Sequence, residues 1–276
     1  MLPLPRHLTA AQWARRGATW LALVLVLVLL LRLDVTLVRW RTMVFPEGPP
    51  GAIRQLLYGL RDFGQSVPMI VAMVIVLLTD RRRWFFIFAL LFAQLLAAGM
   101  CQPVKWCCPR YRPDTAVARV VETRSSAADD PAASATTPAA EPATGSGLAD
   151  LLAQLRPGDT WIPRSAVPPS QSNAYESFPS GHSGAAFAFA AVLAWFYPHL
   201  RWVFWVLAAG CAASRFIDGV HWPSDCLAGA AIGYAAGWLA LRPYAWVLPI
   251  ILVRRRVNRR RAGARRLQRA RRMTHC

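Results

Sequence analysis

Apolar residues dominate six stretches of the chain, and each stretch is bounded by arginines, prolines or polar loops. They cover residues 17–38, 65–79, 84–104, 182–197, 202–213 and 226–241. Several approach the ~20 residues that an α-helix needs to cross the hydrocarbon of a bilayer, and the shorter ones can borrow flanking residues. The pattern predicts an all-α fold, a polytopic membrane protein built as a six-transmembrane helical bundle.

In a shorter segment between the first two apolar stretches, large apolar residues recur at helical spacing among polar residues. Across residues 51–64, the large apolar side chains are Ile53, Leu56, Leu57, Leu60 and Phe63, with arginines and polar residues between them. This spacing predicts an amphipathic helix that lies in the membrane interface.

The composition agrees with a membrane protein and indicates its orientation. Of 276 residues, 55% are hydrophobic and 17% charged, which excludes an ordinary soluble domain. Arginines gather at the N-terminus, at residues 80–83, at residues 199–201 and in the tail, so the positive-inside rule places these four on the cytoplasmic side. The loop over residues 114–181 holds eight acidic residues against four arginines and is expected on the opposite side.

The chain is therefore expected to form one membrane domain over residues 1–276. Residues 17–113 hold the first three spans, residues 114–178 form an extracytoplasmic loop, residues 179–241 hold the last three spans and residues 242–276 form an arginine-rich cytoplasmic tail. Within the loop, the small and polar residues 125–147 predict disorder and residues 148–155 a short helix. The expected location is the bacterial cytoplasmic (inner) membrane.

The net charge of +18 raises the question of a nucleic-acid partner. Eleven arginines lie in residues 254–272, directly after the last span. That position favours a topology signal that contacts anionic lipid head groups. No aromatic residues alternate with the arginines, as they do in many nucleic-acid-binding segments. The expected partners are therefore anionic lipids of the bilayer, and a nucleic-acid partner is not expected.

The first polar cluster follows the third apolar stretch. It contains the only lysine of the chain, Lys105, together with Arg112 and Pro113. Pro109 argues against a continuous helix between the two cations, and Pro113 favours an extended backbone at Arg112. Taken alone, the pair fits equally well two cations whose charged ends reach the membrane surface.

The second cluster begins the fourth apolar stretch. Ser180 lies where a helix cap is expected, with Gly181 and His182 in the first turn. The free backbone N–H groups of a helix N-terminus bind anions. The alternative is that His182 is simply a polar residue at the membrane boundary.

The third cluster lies between the last two stretches. It contains Ser214, Arg215, His221 and Asp225, with Pro223 suited to a first helical turn. Asp225 follows His221 by four residues and can accept from one imidazole nitrogen, which leaves the other free to attack. The alternative is a structural His–Asp pair at a helix start.

Under the arginine assignment all three clusters lie on the non-cytoplasmic side and can converge. Their motifs resemble those of the type 2 phosphatidic acid phosphatase superfamily, which includes lipid phosphate phosphatases and vanadium haloperoxidases. The matching residues are Lys105-x6-Arg112-Pro113, Pro179-Ser180-Gly181-His182 and Ser214-Arg215-x5-His221-x3-Asp225.

The resemblance implies a role for each matched residue. His221 is the nucleophile that forms a phosphohistidine, Asp225 orients it, and His182 protonates the leaving oxygen and then activates water. The implied phosphate-binding residues are Lys105, Arg112, Ser180, Gly181 and Arg215. No metal or other cofactor is implied.

The sequence thus predicts a lipid phosphatase that hydrolyses a phosphomonoester or diphosphate of a membrane lipid. Phosphatidic acid, phosphatidylglycerol phosphate, polyprenyl diphosphate and lipid A 1-phosphate all remain candidate substrates. A lipid-to-lipid phosphotransferase can use the same site, haloperoxidase activity is a further family alternative, and a non-catalytic anionic-lipid binder or transporter is the alternative of another class. The oligomeric state is left open.

Three further polar positions are interpreted as structural. Arg32 and Asp34 near the end of the first stretch are expected to reach the interface, and Asp218 is expected to be a solvated loop residue. Adjacent Cys107 and Cys108 would face an oxidising compartment, where a disulfide can form.

Overall fold

The structure, a computed structural model, describes residues 10–46, 48–80, 83–116, 118, 152, 154–167 and 172–243. Over these ranges the backbone is mostly helical, with two isolated bridges from Arg110 to Trp161 and Glu176 and no named strand. The mostly helical fold is therefore confirmed. The expectations for residues 125–147 and for the arginine-rich run lie outside the described residues, as does most of residues 148–155.

Helices form at each of the predicted apolar stretches. They are α1 (Ala10–Val44), α2 (Gly51–Asp62), α3 (Ser66–Thr79), α4 (Arg83–Cys107), α5 (Gly181–Phe196), α6 (Arg201–Ile217) and α7 (223–243). Short 3-10 turns cover Pro157–Thr160, Arg164–Ala166 and Pro198–Leu200, and Ser172–Tyr175 form one helical turn. The segment with amphipathic spacing at residues 51–64 is α2.

Three helices in the described part of the chain are long and apolar enough to cross a membrane. They are Gly17–Val44, Trp84–Cys107 and Pro198–Ile217. Helices α2 and α3 meet at a bend of 58° and together pass the same test as one broken span. Helix α5 is apolar but shorter, so the count of six spans stays a prediction.

Helix α5 lies at the centre of the packing because small and apolar residues cover its whole circumference. Most of its side chains are buried, among them Ala188, Phe189 and Val192. These residues share one apolar cluster with Phe86 of α4 and with alanines of α7. A helix that is apolar all round is stable only when neighbours surround it, and here α4, α6 and α7 do so.

A column of glycines lets α7 approach α5 closely. Gly229, Gly233 and Gly237 recur every fourth residue and therefore share one face of α7. A Cβ at Gly233 would overlap the carbonyl of Gly184, and a Cβ at Gly229 would overlap the carbonyl of Ser180. Small residues at this spacing are typical of close helix pairs in membranes.

A second apolar cluster joins α1 to the polar end of the bundle. Val35 and Val38 of α1 pack with Tyr111, Leu152 and Trp222. The backbone N–H of Tyr111 donates to Thr160, and the Trp222 indole donates to the Tyr111 carbonyl over 2.7 Å. This layer fixes the loops that carry the polar clusters.

The glycine contact leads to a stability prediction. Gly233→Ala should destabilise the bundle by about 1–3 kcal/mol, because the added methyl group meets backbone that cannot yield without separating α5 from α7. The matched control is Gly99→Ala in α4, where nothing lies within 4 Å of a Cβ. Alanine is the better helix former, so the control should be neutral or stabilising. Thermal unfolding in detergent distinguishes the two, and equal midpoints would contradict the close contact.

Candidate active site

The three polar clusters converge at one end of the bundle. Helix α4 ends beside Lys105, α5 begins after Ser180, and the loop between α6 and α7 holds His221. Hydrogen bonds join these elements: Lys105 Nζ donates to the Glu176 carbonyl over 3.3 Å, and the Ser180 N–H donates to the Asp225 carbonyl over 3.0 Å. The residues that the sequence singled out therefore lie around one region.

Ser180 caps α5 as predicted. Its buried hydroxyl accepts from the Ser183 N–H at 3.5 Å and from the Ser183 hydroxyl at 3.1 Å. Nothing lies within 4 Å of a Cβ built on Gly181, so the first turn of the helix faces open space. Free N–H groups beside open space provide a place for an anionic ligand.

The contacts of His221 determine its tautomer. Its Nδ1 lies 2.9 Å from the Ser177 carbonyl oxygen, which can only accept, so Nδ1 carries the proton. The same nitrogen lies 3.7 Å from Asp225 Oδ2, an ion-pair distance rather than a hydrogen bond. With its proton held at Nδ1, the imidazole keeps the Nε2 lone pair for reaction.

The surroundings of His221 also favour the neutral ring. Burial lowers the pKa of His221 below its ordinary value near 6.5; Asp225 opposes this shift, while the charges of Arg112 and Arg215 add to it. A histidine that is neutral at pH 7 is a competent nucleophile. His221 is only 3% exposed, so the imidazole is almost entirely enclosed by protein.

The two arginines near His221 keep donors without protein partners. The Nε atoms of Arg112 and Arg215 are buried and have no hydrogen-bond partner among the described residues. Arg215 is held from the other side by Asp218 at 3.7 Å. Unpartnered guanidinium N–H groups in a buried site are suited to bind the oxygens of a phosphate.

His182 lies within Coulombic range of the same cations. The charges that act on it are those of Arg215, His221, Arg61 and Lys105. Its carbonyl accepts from the Cys211 thiol at 3.8 Å, and that thiol also donates to the Arg61 carbonyl at 3.4 Å. Arg61 of α2 was not singled out by the sequence motifs, yet it lies close to the second histidine.

A cavity of about 460 Å³ opens beside these residues. It runs between α4 and α5 and is lined by Gln94, Ala97, Ala98, Gly99, Cys101, Gln102, Lys105, Gly181 and Ala185. Apart from Lys105 at one end and two glutamines, its lining is small and apolar. The cavity therefore extends from Lys105 and Gly181 at the polar end toward the apolar residues between α4 and α5.

Behind His221 lies a buried ionic network that the motifs did not reveal. Arg110 Nη1 donates to Asp225 Oδ1 at 2.6 Å, and Arg110 Nη2 donates to Asp34 Oδ2 at 2.7 Å. The guanidinium lies 4.7 Å from the Trp161 ring and 5.0 Å from the Trp222 ring. None of the three charged side chains is exposed.

Asp34 is therefore not a residue that reaches the interface, and that expectation was wrong. It accepts from the Ser224 N–H at 3.0 Å and from the Ser224 hydroxyl, in addition to Arg110. The carboxylate turns inward, where Arg110 and Ser224 supply its hydrogen-bond donors. The signal in the sequence was an acidic residue inside an apolar helix, which is costly unless it has a partner.

Asp218 also differs from its expected state. Its side chain is only 16% exposed and pairs with Arg215 across one helical turn. Arg41 of α1 donates to the Ile217 carbonyl at 2.8 Å and helps to cover this loop. Asp218 is thus a partly buried partner of Arg215 rather than a solvated loop residue.

Cys107 and Cys108 are free thiols in the structure, as are Cys101, Cys211 and Cys226. Cys107 is exposed at the end of α4, and Cys108 is partly buried beside it. The possible disulfide of the sequence analysis does not form among the described cysteines.

Comparison with known proteins agrees with the motifs. Residues 132–248 match a family model described as the PAP2 superfamily. The chain carries a PAP2-superfamily region. The resemblance noted from the motifs is therefore confirmed, and the matched residues include the second and third clusters, while Lys105 and Arg112 precede them.

Two curated relatives that the chain matches are named lipid A 1-phosphatase. The one from Rhizobium etli is 43% identical over 77 residues, and the one from Rhizobium johnstonii is 42% identical over 77 residues. Each alignment covers 28% of this chain and 32% or 30% of the relative. The chain thus matches about a third of the length of these relatives.

Two solved structures are similar at low sequence identity. The crystal structure of Aquifex aeolicus LpxE gives a TM-score of 0.47 at 17% identity, covering 76% of this chain and 95% of that one. A transmembrane PAP2-type phosphatidylglycerolphosphate phosphatase from Bacillus subtilis gives 0.45 at 16%, covering 80% and 92%.

The buried network leads to a prediction about Arg110. Arg110→Met should cost about 3–5 kcal/mol of stability, because it leaves Asp34 and Asp225 as two buried carboxylates without their shared cation. Arg164→Met is the matched control, since Arg164 is exposed and lies 6.0 Å from the Trp106 ring. Thermal unfolding in detergent measures both. A similar small loss in the two variants would contradict a shared ion pair.

Proposed function

We propose that the protein is an integral-membrane lipid phosphatase that hydrolyses a phosphomonoester or diphosphate of a membrane lipid. The observation that carries the proposal is the state of His221. Its Nδ1 proton is held by the Ser177 carbonyl, its pKa is lowered by burial, and Arg112 and Arg215 lie near it with free donors. This is the arrangement that a neutral imidazole needs to attack a phosphorus atom held by cations.

The first step forms a covalent phosphohistidine. The Nε2 lone pair of His221 attacks phosphorus, and the bond from phosphorus to the lipid oxygen breaks. Arg112, Arg215, Lys105 and the N–H groups that follow Ser180 stabilise the negative charge on the phosphoryl oxygens. His182 donates a proton to the departing oxygen, so the dephosphorylated lipid leaves as a neutral alcohol or, from a diphosphate, as a monophosphate.

The second step reverses the role of His182. Now neutral, it accepts a proton from a water molecule, whose oxygen attacks the phosphorus of the phosphohistidine. The bond from phosphorus to Nε2 breaks, the electron pair returns to His221, and inorganic phosphate leaves. The positive charge that His221 carries between the two steps is opposed by Asp225, 3.7 Å away.

The chemistry of the donors supports a reaction without a metal ion. The residues proposed to react with or bind the phosphate are cationic or neutral except for Asp225. The nearby Asp218 is paired with Arg215 at 3.7 Å, and both Asp225 oxygens already accept hydrogen bonds. Arg110 donates to one oxygen, and Ser177 and the Trp222 N–H donate to the other at 2.5 and 3.0 Å. Arginines thus supply the positive charge that a metal supplies in other phosphatases.

The substrate is proposed to be a lipid of the bacterial envelope. The two relatives named lipid A 1-phosphatase put lipid A 1-phosphate first among the four candidates. The small and apolar lining of the cavity between α4 and α5 supports a lipid in place of a soluble phosphate ester. The arginine distribution supports a site on the periplasmic face of the inner membrane, within six spans.

The decisive experiment measures release of inorganic phosphate from the four candidate lipids with a chelator present. Wild-type protein should act on at least one of them, with lipid A 1-phosphate the fastest. His221→Ala should lower the rate by at least about 10³-fold, because the nucleophile is lost. Equal rates for the wild type and His221→Ala would overturn the proposal.

A matched control separates loss of the nucleophile from loss of a histidine in general. His199 is exposed in the turn between α5 and α6, at the end of α5 remote from Ser180. His199→Ala should retain wild-type phosphate release. Binding of all four lipids without turnover by the wild type would instead indicate a lipid-binding protein.

A further inference from the structure

The network of Asp34, Arg110 and Asp225 is one charge too negative to be a simple ion pair. Asp225 accepts from Arg110, Ser177 and the Trp222 N–H, and Asp34 accepts from Arg110 and twice from Ser224. Every polar group that contacts these oxygens among the described residues is able to donate, which is the arrangement expected for two ionised carboxylates. Two anions and one guanidinium leave a net charge of −1 in a site with no exposure to solvent.

Packing alone does not account for Asp34. Replacing a buried ion pair by apolar residues of similar volume is often neutral or stabilising, so a second buried carboxylate is not needed to fill space. Arg110 would be paired by Asp225 without it. Asp34 lies on α1, outside all three motifs. It adds a negative charge close to Asp225, the carboxylate that lies 3.7 Å from His221.

We propose that Asp34 is a positioning residue for phosphoryl transfer: by sharing Arg110 with Asp225, it keeps one net negative charge behind His221. This inference rests on the proposed function of His221 as nucleophile. Without Asp34, Arg110 would cancel the charge of Asp225. With Asp34, the network is able to balance the positive charge that the imidazole carries as a phosphohistidine.

The groups that face His221 come from each element packed around it. Asp225 of α7, Arg112 after α4 and Arg215 of α6 act on His221 directly. His182 of α5 is coupled to it, and Lys105 of α4 acts on both His182 and Asp225. Of these groups Asp225 is the acidic one. Two further carboxylates act on the cations, Asp218 on Arg215 at 3.7 Å and Glu176 on Lys105, and neither is changed in the variants that test the network.

Two single variants change the net charge in opposite directions, and their combination restores it. Asp34→Asn keeps the shape of the side chain and brings the network from −1 to 0. Arg110→Met brings it to −2. The double variant, with Asp225 as its one charged member, returns it to −1.

The pH dependence of kcat/KM for phosphate release reports the result. Protonation of His221 abolishes attack, so activity falls as the pH drops through its pKa. Asp34→Asn should move this acid limb to lower pH by roughly half a unit or more, Arg110→Met should move it to higher pH, and the double variant should return near the wild type. The titration of the substrate is the same for all variants and cancels.

The rate constants provide a second measurement. Asp34→Asn should lower kcat about 10-fold or more with little change in KM, because the phosphate contacts remain and the charged intermediate loses its balance. Asp80→Asn is the matched control, since Asp80 accepts from the Tyr197 hydroxyl at 3.2 Å beside the start of α4, remote from Lys105 at its end. It should leave both the limb and kcat unchanged.

Nuclear magnetic resonance of histidine-labelled protein in detergent tests the same inference without substrate. The chain has five histidines, and His221→Ala identifies the resonance of interest. The His221 pKa should follow the same order: Asp34→Asn lowest, wild type and double variant in the middle, Arg110→Met highest. If the wild type has no phosphatase activity but the His221 pKa follows this order, the proposed function is wrong, and the effect of the charge network on His221 is still supported.

Other outcomes would overturn the inference. Asp34→Asn could leave the acid limb of the kcat/KM profile and the His221 titration unshifted, and lose activity only through instability. That result would make Asp34 a packing residue. Shifts of both single variants in the same direction would do the same. If Arg110→Met does not fold, the shift of the acid limb in Asp34→Asn and its reversal in the double variant still test whether Asp34 acts on His221.

Discussion

The position of one guanidinium organises the polar end of this protein. Arg110 lies between two carboxylates and between two tryptophan rings, and no part of it is exposed to solvent. Its partners belong to α1, to α7 and the residue before it, and to the last residue of the 3-10 turn at Pro157–Thr160 and the residue after that turn. A buried charge tolerates little displacement, because each lost contact leaves an uncompensated ion. The first helix, the last helix and the end of the long loop are thereby held to one point.

The same arrangement divides the site into a negative side and a positive side. Behind His221 lie the carboxylates, and in front of it lie Arg112, Arg215 and the start of α5. An imidazole between them has a fixed proton on one nitrogen and a phosphate-binding region at the other. Orientation and electrostatic stabilisation, which contribute most to phosphoryl transfer, thus depend on side chains that are fixed before any ligand binds.

Local rules predicted much of the site from the sequence. Ser180 caps a helix and Pro223 begins one, since both preferences depend on a single helix terminus. Asp34 and Asp218 were misjudged because their partners are set by packing. Asp34 meets a cation 76 residues away, and no spacing rule reaches that far. Arg110 lies inside the first cluster but was overlooked, because its role depends on tryptophans and carboxylates from distant segments. At the bend between α2 and α3, a Cβ on Gly64 would overlap the His182 carbonyl oxygen and the Cys211 sulfur, and this close approach to distant residues is likewise invisible to local rules.

The glycine column of α7 has a consequence for how a lipid reaches the site. His182 and Asp225 lie on α5 and α7, two helices whose backbones touch at Gly184 and Gly233 and have no space to slide past each other. Lys105 lies on α4, which packs against α5 in the apolar core but borders a cavity beside Gly181. The relative position of His182 and Asp225 is therefore fixed by the packing of α5 against α7. The proposed site therefore has one closely packed side, formed by α5 and α7, and one side with open volume, where Lys105 lies on α4.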